Sequence, residues 1–188
     1  MTTTQTVKIL GTLTHLTYRL DEHEHARRQA EGSPRLDTGE LNVLMNLPHG
    51  LPVPILSLTR DERRLADRGL LESDGDGNVI RHTRPPLAVN LAMVRATRWR
   101  SGLKRAGMFA PYCARAVHLP TGPDDPMALL EAGFYGIGVY TTGDDGGIVV
   151  AVEPRPFVRR RWTPAGWGFL EDAYRLVASR PVLTGGAA

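Results

Sequence analysis

From residue 87 onward the chain alternates short apolar runs with helical stretches, and this alternation limits the fold more than any other feature of its 188 residues. Residues 87–94 (LAVNLAMV) are mostly apolar, too few for a core helix and the right number for a buried strand. Residues 98–112 place Trp99, Leu103, Ala106 and Ala110 near one side of a helix, with Arg100, Lys104 and Arg105 elsewhere. A second short strand follows at 115–119 (RAVHL), and then a helix capped by Asp124 or Asp125 that runs through Phe134. Residues 136–142 (GIGVYTT) and 148–152 (IVVAV) read as strands joined by the turn GDDGG. Thr163 caps a last helix, with Pro164 in its first turn, that reaches about Ser179 and carries the stripe Trp167, Leu170, Ala173, Tyr174 and Val177. The tail VLTGGAA is expected to fray. Strands and helices in alternation call for a mixed α/β layer structure.

The segment 36–83 reads differently. Asp37 or Thr38 caps a short helix through Leu47, which Pro48, Gly50, Pro52 and Pro54 then break. Ser57 or Thr59 caps a second helix over 60–68, with Leu58, Leu65, Leu70 and Leu71 facing inward and Gly69 at a left-handed helix end. Residues 70–72 and 78–81, around the turn SDGDG, make a β-hairpin. Upstream, Ile9, Leu10, Leu13, Leu16 and Leu20 recur at steps that predict a helix over 7–29. Its second half, DEHEHARRQ, is polar all round and is expected to project into solvent. Such a leading helix either covers the next domain or pairs with a second copy, making a homodimer possible.

Charge is distributed unevenly. Residues 77–123 contain eight basic residues and no acidic one, leaving fifteen basic against twenty acidic residues in the rest of a chain of formal net charge +3. A solvated face normally mixes both signs, so a one-sign run points to a polyanion partner. The same run supplies no carboxylate to a metal ion. The one cysteine, Cys113, excludes an internal disulfide and a thiolate cluster, and an inert core thiol is expected. The start, MTTTQTVKIL, does not read as a signal peptide, and no window approaches a membrane span. A cytoplasmic protein without cofactors or metal is the expectation.

Two resemblances bear on function. The string RRLADRGLLESDGDGNVIRHT, with a leucine-spaced helix, a Gly-Leu exit and a hairpin, resembles the recognition helix and wing of a winged helix-turn-helix. The proline-rich approach LPHGLPVPI departs from that family's second helix. The order strand, basic helix, strand, helix, GIGV strand, strand over residues 76–154 resembles the second half of the PD-(D/E)XK nuclease superfamily. There, Asn90 stands at the place of the family's Glu and Ala92 at the place of its Lys, and the upstream Asp corresponds to Asp74 or Asp76. Phosphodiester hydrolysis by a metal needs carboxylates to hold the ion. The resemblance therefore implies a degenerate nuclease that holds DNA without cutting it. An active nuclease with displaced acids such as Asp76 and Glu153 is the less favoured expectation. The fold expected is α+β or α/β, a winged helix-turn-helix plus a small mixed α/β domain with a nuclease-like core. Its divisions are 1–35 (amphipathic helix), 36–83 (winged-helix-like) and 84–188 (nuclease-like).

The candidate contacts are arginines in the main. Arg60, Arg63, Arg64 and Arg68 follow the helix that would enter a major groove, where arginine reads guanine edges. Alternatively they pair with Asp61, Glu62 and Asp67. Asn78 and Arg81 in the wing would touch backbone or minor groove. Arg95, Arg98, Arg100, Lys104 and Arg105 have no acid nearby in sequence and are assigned to phosphate, unless distant acids meet them. Trp99 between them is expected in the core. Arg159, Arg160 and Arg161 form a basic and aromatic cluster with Trp162, either a backbone clamp or an ordinary strand edge. His23 and His25, two residues apart, do not share a helix face, and His118 reads as a satisfied buried histidine. The expectation is a non-catalytic protein that binds double-stranded DNA, a transcriptional regulator. The alternative is a non-catalytic accessory subunit of a restriction, repair or plasmid-maintenance nuclease assembly.

Overall fold

The computed structural model describes residues 1–178. The expected helix end at Ser179 and the fraying tail lie outside the described residues. The order of elements is β1 (Thr3–Ile9), β2 (Thr12–Leu20), α1 (Glu22–Glu31), α2 (Thr38–Asn46), β3 (Pro52–Pro54), a single 3-10 turn (Ile55–Ser57) and α3 (Arg60–Asp67). Then come β4 (Glu72–Ser73), β5 (Asn78–Ile80), β6 (Leu87–Arg95), α4 (Trp99–Gly107), β7 (Ala114–His118), α5 (Ala128–Tyr135), β8 (Gly138–Thr142), β9 (Ile148–Val152) and α6 (Pro164–Ala178). The class is mixed α and β. No helix among the described residues is long and apolar enough to cross a membrane.

Two compact units emerge. The first takes residues 1–19, 88–159 and, of the described residues, 172–178; the second takes 20–87 and 160–171. The first unit is built on a six-stranded sheet in the order β1-β2-β6-β7-β8-β9. β6, β7 and β8 are parallel, joined through α4 and α5, while β1 with β2 and β8 with β9 are antiparallel hairpins. The apolar runs at 87–94 and 115–119 are strands as their composition requires. α4 lies very close to β7: a Cβ added at Gly102 would stand 2.4 Å from Val117 Cγ1, so only glycine permits this approach. Trp99, Phe109, Val117, Leu119 and Ile137 are fully or nearly fully buried.

The expected helix over 7–29 is wrong for its first half. Residues 3–20 form a hairpin, and only 22–31 are helical. The leucine steps that mimic a helix do not share a face, since Leu16 is fully buried and Leu13 is 66% exposed. The governing pattern has period two: Val7 and Ile9 on β1, and Thr12, Thr14, Leu16 and Tyr18 on β2, are buried. Threonine-rich, β-branched sequence favours this choice, and Leu10-Gly11 supplies a two-residue turn.

The second unit buries Leu41, Leu44, Leu58, Leu65, Leu70, Leu71, Val79 and Trp167 in one cluster. α2 and α3 each start with a reciprocal capping box, Asp37 with Glu40 and Thr59 with Glu62. Gly69 has φ of 70°, the left-handed helix end that its position predicts. β4 and β5 form the expected hairpin. The proline-rich approach becomes β3, which pairs with β5 to give the order β3-β5-β4. Prolines lack the N–H of an inner strand, so Pro52 and Pro54 suit this edge.

The polar helix α1 does not project into solvent. Glu24 and Arg28 are 1% and 4% exposed. The Arg28 guanidinium donates to Glu171 through both terminal nitrogens, at 2.7 and 2.8 Å, and to Glu24 Oε1 at 2.7 Å. Trp167 Nε1 donates to the same Glu171 at 2.9 Å. A residue 143 positions away completes this network, which is why a reading of DEHEHARRQ by itself sends it to solvent.

Candidate functional site

At the carboxyl ends of the parallel strands, Arg95 on β6 aligns with His118 on β7, and His118 with Tyr140 on β8. Open parallel sheets present ligand sites at this edge, because each strand there turns into the N-terminus of a crossover helix. Here the edge opens into a cleft of about 820 Å³ lined by Lys8, Gly11, Thr12, Leu13, His15, Arg95, Ala96, Thr97, Ser101 and Arg105. No carboxylate lines it. Lys8, Arg95 and Arg105 are exposed, and none makes an ion pair among the described residues. His15 shares a 2.8 Å hydrogen bond with Thr6 Oγ1, its cross-strand partner. His118 is half-buried and shares a 3.1 Å hydrogen bond with Thr142 Oγ1. Partial burial, then the neighbouring charges of Arg95 and His15, hold the His118 imidazole below its ordinary pKa. The expectation of a buried histidine therefore misses its setting. Lys8 and His15 were not foreseen either, because a helical reading of the N-terminus hides that Lys8, Leu13 and His15 share the exposed face of the hairpin.

The other basic residues of the acid-free run divide. Arg98 and Lys104 are exposed without an ion pair among the described residues, and both flank the cleft residues in sequence. Arg100 pairs with Asp125 at 3.1 Å and Glu131 at 3.0 Å, so distant acids do reach it. The same Glu131 accepts from the Trp99 indole at 2.7 Å, fixing Trp99 in the core as expected. Neither Asp124 nor Asp125 caps α5 as an N-cap side chain. Asp124 instead accepts from the Trp99 backbone N–H at 2.7 Å and so caps α4, while Asp125 accepts from Met127 N–H in the preceding turn. The GIGV strand also starts two residues late, because Gly136 closes α5 with φ of 67°. Arg159 donates to the Tyr112 carbonyl at 3.3 Å and lies over the Phe157 ring, with its pKa lowered by burial, whereas Arg160 and Arg161 are exposed.

In the second unit, Arg60, Arg63 and Arg64 are exposed along α3 and form no ion pair with Asp61, Glu62 or Asp67. Glu62 is occupied by the capping box. Arg68 is bound to Glu40 of α2, and together with Arg64 it lines a groove of about 320 Å³ that also carries Asp37, Glu40 and Asp61. Positive charge is partly offset on that side. In the wing, Asn78 Nδ2 donates to Asp74 at 2.8 Å, and Asp74 also accepts the Asp76 and Asn78 backbone N–H groups. Those hydrogen bonds, from Asn78 first, lower the Asp74 pKa and make it a turn residue. Arg81 is half-buried, stacks over Trp167 at 5.7 Å and has its pKa lowered by burial.

On β6, Asn90 is exposed and Ala92 is fully buried, and neither carries a carboxylate. Among the described residues no three His, Cys, Asp or Glu side chains gather as a metal site requires. Cys113 is fully buried, and burial pushes its thiol pKa up to about 12, which makes it inert in the folded chain. Comparison with protein-family models, with curated proteins and with solved structures finds no match to this chain.

Proposed function

We propose that this chain is a non-catalytic DNA-binding protein that acts as a transcriptional regulator. The observation that carries the reading is the cleft of the first unit: Lys8, Arg95 and Arg105, with His15, line it and no carboxylate does. Cations exposed without partners attract a polyanion, and phosphate is the polyanion that arginine forks recognise best. Support for sequence reading comes from α3, where Arg60, Arg63 and Arg64 make no ion pair among the described residues, beside a hairpin of winged-helix type. The element order α2-β3-α3-β4-β5 with the sheet order β3-β5-β4 is compatible with that family, the helix before the recognition helix being reduced to the turn at Ile55–Ser57. Asn90 and Ala92 at the places of the nuclease residues favour holding over cutting.

The test is a salt titration of binding to mixed-sequence duplex DNA. Each phosphate contact contributes a slope of about 0.9 in log K against log salt. Arg95→Gln with Arg105→Gln therefore lowers the slope by about 1.8 and weakens binding by well over tenfold at 0.1 M salt. Failure of the unaltered protein to bind any duplex at low salt sinks the reading.

A second reading, an accessory subunit of a nuclease assembly, draws on the crossovers β6-α4-β7 and α5-β8, which follow the order of the nuclease superfamily's second half. Co-purification with a nuclease or helicase, without sequence-selective binding, favours it.

A further inference from the structure

The tip of the β1–β2 hairpin breaks two local rules at one residue. Ile9 pairs with Thr12, so the turn consists of Leu10 and Gly11 alone, and both have positive φ, 49° and 73°. Two-residue turns of this kind take Asn-Gly or Gly-Gly, because a branched apolar side chain is strained in the left-handed region. Leu10 is the single non-glycine residue with positive φ among the described residues. It is also 40% exposed, and Leu13, on the exposed face opposite Lys8, is 66% exposed. Asparagine at Leu10 would relieve the strain and leave less apolar surface in water, so folding does not explain the leucine. Sequence choices that work against local structure are expected where a chain meets its ligand.

The surroundings identify that ligand. Lys8, Gly11, Thr12 and Leu13 line the same cleft as Arg95 and Arg105, where no carboxylate is present. An exposed apolar tip next to a cleft whose cations make no ion pair among the described residues matches a surface that is apolar between two rows of negative charge. Duplex DNA has that character at its base steps, with phosphates on either side. A narrow two-stranded ribbon fits a groove, and leucine is among the side chains that unstack base steps when inserted. We propose that the Leu10–Gly11 tip is a wedge that enters a base step of duplex DNA, while Lys8, Arg95 and Arg105 hold the adjoining phosphates. This inference rests on the DNA-binding reading above and adds to it a deformation of the bound duplex.

The experiment uses the full chain and duplexes carrying 2-aminopurine at pyrimidine–purine steps, the steps that unstack most easily. Binding of the unaltered protein raises 2-aminopurine fluorescence as the base leaves its stack. Leu10→Asn raises the denaturation midpoint, loses most of the fluorescence rise and binds several-fold more weakly. Leu129→Ser, which removes a similarly exposed leucine on α5 outside the cleft, keeps the full rise. Salt-sensitive duplex binding with no fluorescence rise, or with a rise that survives Leu10→Asn, overturns the wedge and leaves the DNA-binding reading in place. Absence of any duplex binding overturns both. A change from dimer to monomer on Leu10→Asn, read by sedimentation without DNA, overturns the wedge and makes the tip a contact between copies.

Discussion

The chain uses arginine in two opposite ways. Arg28 comes from a stretch with three acids of its own, DEHEHARRQ, and ends buried with both ends of its fork on Glu171 and its Nε on Glu24. Arg95 and Arg105 come from an acid-free run and end exposed in a cleft, with no ion pair among the described residues. A local acid at helical spacing allows a guanidinium to be drawn inward, because burial of the charge is tolerated only when its donors are satisfied. Where no acid is near, Arg95 at the end of β6 and Arg105 on α4 stay exposed to solvent. Arg100 shows the limit of that rule, since Asp125 and Glu131 reach it from beyond the run.

The contrast breaks most visibly at Arg28. Arg28→Leu leaves Glu171 buried without its cation, while Glu24 keeps Arg27, and lowers stability by about 3–5 kcal/mol, measured by urea denaturation. Replacing Glu24, Arg28 and Glu171 together by apolar residues recovers most of that loss; if it does not, the network specifies the packing of α1 beyond its charge balance. Arg95→Gln, by comparison, changes stability by no more than about 0.5 kcal/mol.

Acid sharpens the cleft side of the comparison. The folded-state pKa of His118 lies below its unfolded value, so the unfolded chain takes up protons first as pH falls below about 6.5. Stability of the free protein therefore declines between that pH and the lower folded-state pKa, and is unaffected above it. A bound phosphate acts the other way by favouring the imidazolium. Over the same range DNA affinity is expected to rise on the DNA-binding proposal, while the melting temperature without DNA falls. A double titration by anisotropy and thermal melting checks both signs, and a parallel fall of the two would remove His118 from the cleft's electrostatics. Arg100→Gln breaks exposed ion pairs and costs about 0.2–1 kcal/mol in denaturation experiments. On the DNA-binding proposal, its effect on affinity falls well short of that of Arg95→Gln.

How much of this was legible in the sequence follows the range of the interactions. The capping boxes at Asp37 and Thr59, the inward Leu65 and Leu70, Gly69 and the strands from β6 to β9 depend on neighbours within a few residues, and all could be read. The N-terminal hairpin could have been read, since Thr12, Thr14, Leu16 and Tyr18 alternate, but the leucine spacing competed with that pattern. Asp124 capping α4 and Glu171 completing the Arg28 network could not, because their partners are 25 and 143 positions away. The cleft was half visible: Arg95 and Arg105 stood out for want of acids, while Lys8 and His15 come to it only once residues 3–20 pair as strands.

Cys113 carries a consequence of its burial that reaches past its chemical silence. As the only sulfhydryl in the chain, it gives each molecule a single recorder. An alkylating reagent marks a molecule only after the strand–helix packing around β7 has come apart, and the mark is permanent. The pace of labelling at neutral pH thus counts openings of the sheet unit without any engineered probe.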